Sequence, residues 1–302
     1  MSEENQADTS SFCASCGIAE IDDIKLKDCD DCDLVRYCSD ACKELHRPEH
    51  AGKCRKRAAE LRDELLFKQP ESTHEGDCPI CMVPLPLDKQ TSSIMSCCSK
   101  VVCNGCDYAN IMRERKERRP PKCPFCRELL PNTNEECDKR RMKRAEMNDP
   151  VAMCQLGVQK GLEGDYGSAL EYLTKASLQG DAEAHFLLSD LYRRGEGVEK
   201  DKGKEVLHAE EAAIGGHPDA RYALGGHEYN NGNIERAVKH WIIAAAQGHD
   251  RSIKTLMEKF REGYVSNGEL AAAFRAHKAA VDATKSPQRE KGEEYCRNMD
   301  NN

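Results

Sequence analysis

The cysteines of this chain of 302 residues come mostly in pairs. Between residues 78 and 127 the sequence reads Cys78-Pro-Ile-Cys81, Cys97-Cys98, Cys103-Asn-Gly-Cys106 and Cys123-Pro-Phe-Cys126-Arg127. Upstream lies a second run: Cys13-x2-Cys16, Cys29-x2-Cys32, Cys38-x3-Cys42 and His50-x3-Cys54. Two ligands a few residues apart can grip one Zn²⁺, and a tetrahedral structural site takes two such pairs. Four pairs per run therefore predict two ions per run. A closed four-ligand site has no open position for water, so such ions staple a fold and activate no nucleophile. Of the 18 cysteines, only Cys137, Cys154 and Cys296 stay outside this pairing.

The compartment decides whether clustered cysteines are ligands or disulfides. The N-terminus, Met1-Ser-Glu-Glu-Asn-Gln-Ala-Asp, has neither a basic nor an apolar region, so it does not read as a signal peptide. The longest apolar run, Trp241 to Ala246, is too short to cross a bilayer. The expectation is an intracellular protein, cytoplasmic and/or nuclear, not secreted and without a membrane partner. Aromatics make up 5% of residues and charged residues 32%, which suits several small units better than one large core. The net charge of −8 argues against nucleic acid as a partner. The basic residues between 113 and 144 alternate with acids and do not change that expectation.

Residues 1–12 read as a disordered leader and residues 13–54 as the first module. Its ligand order permits interleaving, pairs one and three on one ion and pairs two and four on the other. With the Tyr37-Cys38-Ser39 segment and the closing His-x3-Cys, it resembles the MYND-type zinc finger. The resemblance implies a protein-interaction module that docks proline-containing peptides, although Lys43 and Arg47 stand where that family commonly carries Gln and Trp. The string His46-Arg-Pro-Glu-His50 matches an inverted zinc-protease motif that needs a helix, and Pro48 at its centre argues against one. Residues 55–76 read as a helix, with Leu61, Leu65 and Leu66 on one face and a stop at Pro70, followed by a linker.

Residues 77–130 resemble a RING finger in ligand order and spacing. The resemblance implies one site of Cys78, Cys81, Cys103 and Cys106, and a second of Cys123 and Cys126 with the Cys97/Cys98 pair. Lys100 stands where that family has its ligating histidine, and a protonated lysine cannot bind zinc. Either both Cys97 and Cys98 ligate, giving four ions in the chain, or the second site is incomplete and there are three. Between Cys106 and Cys123 the residues suit a short helix whose charges, such as Glu114 and Arg118, form a solvated face. RING domains act by docking a ubiquitin-conjugating enzyme and holding its ubiquitin in a reactive pose, with no nucleophile of their own. What carries over is Ile80 and Pro124 as enzyme contacts and Arg127 as the cation that clamps ubiquitin.

Residues 131–148 form a basic connector, readable as a nuclear import signal or as the face of a linking helix. Beyond it a period emerges: Ala152, Ala184, Ala220 and Ser252 recur in related segments opened by Asp149, Asp181, His217 and His249. Leu156, Leu188, Leu224 and Leu256 repeat on the inner face of each first helix, and Ala-rich second helices end at Gly180, Gly216 and Gly248. Asp149, Asp181, Asp165 and Asp201 read as helix caps, Pro150 and Pro218 as first-turn residues, and Ser266 to Glu269 as a capping box. Met153, Cys154 and Tyr222 read as core. The pattern over residues 149–285 resembles Sel1-like repeats, relatives of the tetratricopeptide class, which implies a right-handed solenoid with a protein-binding face. Residues 286–302 read as a polar helix and tail that shield the end of the array.

The fold class expected is multidomain: two small zinc-stapled α+β modules, then an all-α Sel1/TPR-like solenoid. The function expected is that of a zinc-dependent, RING-type ubiquitin-ligase-like protein whose repeats and first finger gather partners or substrates. The alternative is a non-catalytic scaffold or transcription-associated adaptor.

Overall fold

The computed structural model describes residues 11–21 and 23–300, so the expected leader lies outside it as far as residue 10. Two compact units divide the chain, Met1–Lys68 and Gln69–Asn302.

In the first unit, β1 (Lys27–Asp28) pairs antiparallel with β2 (Arg36–Tyr37), and α1 runs from Asp40 to Leu66. Cys13, Cys29, Cys32 and Cys54 make up most of the core with Leu26 and Tyr37. A unit this small has little apolar surface to bury, and thiols take the place of a larger aliphatic core. Helix α1 corrects the expectation at Pro48, because it continues through that proline. Proline removes one intrahelical hydrogen bond and crowds the carbonyl four residues back, but the helix carries Cys42, His50 and Cys54 into two convergent clusters, whose contacts act against that local cost. The side chain of Ser39 accepts from the Cys42 N–H and starts the helix.

The second unit opens with residues 77–130, where β3 (Ser92–Ile94) pairs antiparallel with β4 (Val101–Cys103), with Ser93 opposite Val102. Helix α2 (Asn104–Lys116) follows directly. The core is Leu85, Met95 and Val102 among Cys78, Cys103, Cys106 and Cys123. Glu114 was expected on a solvated face, yet it is buried at 1% exposure. Arg113, Arg119 and Arg127 converge on its carboxylate at 2.9–3.3 Å, so the charge is met by three guanidinium groups instead of water.

Helix α3 (Asn134–Glu146) spends its arginines on internal bonds. Arg140 donates to the Leu129 carbonyl, Arg141 to Gln155 and Gln159, and Arg144 to Ser99 and Asp149. Four helical pairs follow: α4 (Pro150–Leu162) with α5 (Tyr166–Ser177), α6 (Ala182–Arg194) with α7 (Lys202–Ile214), α8 (Pro218–Asn230) with α9 (Ile234–Ala246), and α10 (Asp250–Arg261) with α11 (Asn267–Ala283). The caps at Asp149, Asp165, Asp181, Asp201 and Ser266 form as the sequence indicates, including the full capping box at Glu269. Leu156, Leu188, Leu224 and Leu256 are buried, as are Met153 and Cys154. Gly180, Gly216 and Gly248 end their helices at φ of 80°, 85° and 88°, where a side chain would be strained.

The last helix, α12 (Pro287–Asp300), departs from expectation. Its main packing partner is α2 in the cysteine module, not the end of the repeat array. The reason is a close approach of two glycines. A Cβ on Gly105 would lie 2.7 Å from the Arg289 backbone, and one on Gly292 would lie 2.6 Å from the Asn104 backbone. Among the described residues, no helix is long and apolar enough to cross a membrane.

Candidate metal centres

Three of the Cys-x2-Cys pairs share one backbone turn. In each, the residue after the second cysteine donates its N–H to the first cysteine's carbonyl: Gly17 to Cys13 at 2.9 Å, Met82 to Cys78 at 2.9 Å, and Arg127 to Cys123 at 3.0 Å. Each first cysteine in turn donates to the carbonyl five residues on, Ile18, Val83 and Glu128 respectively. The hinge residue is left-handed in all three, with φ of 73°, 55° and 66°. The turn aims both thiols to one side. A second device supplies further ligands. Cys42 sits in the first turn of α1 and Cys106 in the first turn of α2, so the start of each helix fixes where the thiol points.

These devices gather four quartets: Cys13, Cys16, Cys38 and Cys42; Cys29, Cys32, His50 and Cys54; Cys78, Cys81, Cys103 and Cys106; Cys97, Cys98, Cys123 and Cys126. All the ligand atoms of a quartet lie within 4.8 Å of one another. Tetrahedral zinc with Zn–S bonds of about 2.3 Å needs sulfur–sulfur edges of about 3.8 Å. Observed edges include Cys29–Cys54 and Cys81–Cys103 at 3.8 Å, Cys98–Cys123 at 3.9 Å, and Cys16–Cys38 at 3.6 Å. The Cys126–Cys97 edge is tighter at 3.3 Å. The donor sets and spacing therefore fit Zn²⁺, which these clusters could hold. Cys97 and Cys98 both reach their quartet, and the adjoining Ser99 absorbs the bend at φ of 55°. Lys100 takes no part as a ligand; its ammonium lies 6.0 Å from the Phe125 ring centroid.

Titration within the quartets is uneven. Burial pushes the Cys13 thiol up, but backbone donors at Cys16, Cys38 and Ser15 outweigh it and bring it to about 6. At Cys78 burial likewise raises, and the backbones of Cys103, Cys81 and Ile80 bring it down to about 7. Their neighbours go the other way. The Cys16 and Cys42 thiols beside Cys38 drive it to about 12, and burial with Cys32 and Cys29 drives Cys54 to about 12. Without a cation, that crowding holds the Cys38 and Cys54 thiols protonated at neutral pH. A dication lifts that restriction, so metal uptake releases protons. His50 is pushed down by burial and by His46, which favours the neutral imidazole that ligates zinc. His46 itself bonds the Tyr37 hydroxyl at 3.0 Å and stacks on His50, a packing role that supports the ligand beside it.

A fifth cluster, His74, Glu183 and His217, also converges, and spacing in the sequence gives no hint of it. Its chemistry differs. His217 caps α8, its Nδ1 accepting the Ala220 N–H at 3.4 Å. The ring proton therefore sits on Nε2, 3.1 Å from Glu183 Oε2, and a protonated nitrogen has no lone pair for a metal. One repeat on, His249 does the same: Nδ1 accepts from the Ser252 N–H, and Nε2 faces Asp219 Oδ1 at 3.2 Å. Each histidine caps its own helix and ties it to an acid of the preceding repeat. His74 joins the ladder from outside the repeats. Its ring stacks on His217 at 4.1 Å, and its Nε2 lies 3.3 Å from both Glu75 and Glu183.

The residues expected to contact a conjugating enzyme are placed as follows. Ile80 is 42% exposed beside the knuckle at Cys78, and Pro124 is half-buried in the knuckle at Cys123. Arg127 is folded back, donating to Asn110 Oδ1 at 3.0 Å and to Glu114 Oε1 at 3.2 Å. Asn110 is buried and also donates to the Lys122 carbonyl. In the first unit, Lys43 pairs with Asp30 and Arg47 with Glu44.

Two family models match the chain: the MYND finger at residues 13–54, and the Sel1 repeat at residues 150–181, 182–217 and 218–249. The chain thus carries a MYND zinc finger and three Sel1 repeats, a combination of zinc finger and helical array. Sel1 repeats generally mediate contacts between proteins. Among curated proteins the chain is similar to chitin synthase regulatory factor 4 of Schizosaccharomyces pombe, 30% identical over 89 residues. That match takes in 29% of this chain and spans 14% of the relative's length. Similar solved structures include a Sel1 repeat protein from Oxalobacter formigenes, at 18% identity and a TM-score of 0.43, covering 59% of this chain and 72% of that one. Another is c5321, a protective antigen of uropathogenic Escherichia coli strains displaying an SLR fold, at 21% identity and a TM-score of 0.39, covering 63% of this chain and 40% of that one.

Proposed function

We propose that the chain is a zinc-stapled scaffold for protein interaction, in which each of the four quartets holds one structural Zn²⁺. The observation that carries this reading is closure: every quartet presents four ligands, which leaves no position at which substrate or water would be activated. The metal supplies shape. With it, each knuckle presents its flanking side chains at fixed positions, and the repeats add a helical surface. Binding of partners then depends on zinc without any partner touching zinc. The test is capture of partners by the full chain with and without a Cys29→Ser substitution. A set of proteins lost specifically with the finger, while others stay bound to the repeats, is expected. Partner sets identical in both would overturn the finger's part in the reading.

A second reading, ubiquitin-ligase-type positioning by residues 77–130, is favoured by the interleaved order of the third and fourth quartets and by the exposure of Ile80 and Phe125. On this reading, Ile80 and Pro124 contact a ubiquitin-conjugating enzyme. Arg127 must leave Glu114 and Asn110 before it can clamp ubiquitin. Autoubiquitination by the full chain across a panel of conjugating enzymes separates the two. Zinc-dependent chains abolished by Ile80→Ala support the ligase; no chains with any enzyme leaves the scaffold alone.

A further inference from the structure

Helix α12 reaches the third quartet from more than 180 residues away in sequence. Arg289 is 4% exposed. Its Nη1 donates to the carbonyls of Pro84 and Thr284, both at 2.6 Å, and its Nη2 to the Val83 carbonyl at 2.8 Å. The same Nη2 points at Cys81 Sγ, 3.6 Å away. One residue earlier, Gln288 Nε2 donates to the Gly105 carbonyl at 3.1 Å and faces Cys106 Sγ at 3.6 Å. The helix is seated for this by the Gly105 and Gly292 contacts, and by Tyr295, whose ring lies 5.1 Å from that of Tyr108 and under the Arg115 guanidinium.

Charge explains why a buried guanidinium would be kept there. Four thiolates around one Zn²⁺ carry a net charge of about −2, and a buried charge is tolerated only when paired and hydrogen-bonded. An N–H···S bond to a ligating sulfur both orients the ligand and offsets that charge. We propose that α12 is a zinc clasp: Arg289 and Gln288 are outer-sphere partners of the ion held by Cys78, Cys81, Cys103 and Cys106, so that metal retention and docking of the last helix are coupled. The coupling is reciprocal, because whatever the docked helix adds to metal affinity the metal adds to docking. The clasp rests on the zinc assignment of this quartet and is independent of any role for ubiquitin.

The test uses the full chain. Zinc release into a competing chelator is followed for the native protein, Arg289→Met, Arg289→Lys and Gln288→Leu. In Arg289→Met, one ion is expected to be held about 10- to 100-fold more weakly while the others leave at native rates, with Arg289→Lys recovering part of the loss. Hydrogen exchange should show α12 opening when the native protein is stripped of that ion. If Arg289→Met loses its helical signal, Gln288→Leu is read instead, and it should speed release of the same ion. Native release rates in a folded Arg289→Met, or in Gln288→Leu where the first unfolds, overturn the clasp. A native protein that holds no ion in this quartet overturns the assignment beneath it.

Discussion

Met82 and Gly17 occupy the same place in two metal knuckles, yet only one is glycine. Both are left-handed, and Met82 is 73% exposed with its backbone N–H fixed to Cys78. An L-side chain in that region costs about 1–2 kcal/mol, part of which is offset by the entropy glycine loses on folding. Met82→Gly is therefore expected to raise stability by up to about 1 kcal/mol, readable as a higher denaturation midpoint with unchanged zinc content. Arg127 is bound by the same backbone rule but is also tied to Glu114, so relief of strain there comes with loss of an ion pair. Glu114→Gln should lower the melting temperature and leave Arg127 mobile, which hydrogen exchange near Cys123–Arg127 would register. The clustering of these cysteines was legible because their spacing is set by a turn only a few residues long. The burial of Glu114 was not: its partner Arg119 is brought back by a turn at Arg118 with φ of 54°, and Arg127 is delivered by the knuckle at Cys123.

At the scale of elements, the repeats show why a sequence period can be trusted and where it stops. In α8 two glycines adjoin, and they differ. A Cβ on Gly225 would lie 2.4 Å from the Trp241 indole nitrogen of α9, whereas nothing lies within 4 Å of one on Gly226. Gly225→Ala is expected to destabilise by about 1–3 kcal/mol through overpacking. Gly226→Ala should stabilise by about 0.5–1 kcal/mol through helix propensity. Thermal melts of the two variants check the pair. The alignment of His217 and His249 with Asp149 and Asp181 was visible in the period, but their capping through Nδ1 was not, because the tautomer that frees Nδ1 to accept is set at Nε2 by an acid in another repeat. His74 adds a pH dependence. Burial alone would lower it, but Glu183 and Glu75 outweigh burial and raise it to about 9. Lys89 pairs with Glu183, Asp181 also feels the His74 charge, and the stacked His217 is pushed down by burial and stays neutral. Since the folded value lies above the ordinary value of about 6.5, this contribution is full below that pH and is lost as pH rises through about 9. The expected loss between pH 7 and pH 9.5 is on the order of 2 kcal/mol, and His74→Gln should flatten that slope.

At the scale of the molecule, local signals served best. The cysteine pairs, the Asp and Ser caps and the recurring leucines and glycines each lie within a helical turn or one repeat, and these were readable. The placement of α12 was not, because it depends on a glycine at 105 meeting a glycine at 292 across the fold. The same holds for the basic connector, whose arginines looked available until α3 was seen to spend them on Leu129, Ser99 and Asp149. In the proposed scaffold both cysteine modules are closed by zinc, four ions in all, and the histidine cluster binds none. Native mass spectrometry of the full chain, with proton release measured during zinc titration, tests it most directly. Four ions per chain are expected, with protons released as each binds. Three ions would mean that Cys97 and Cys98 do not complete the fourth quartet; five would mean that His74, Glu183 and His217 hold a metal after all.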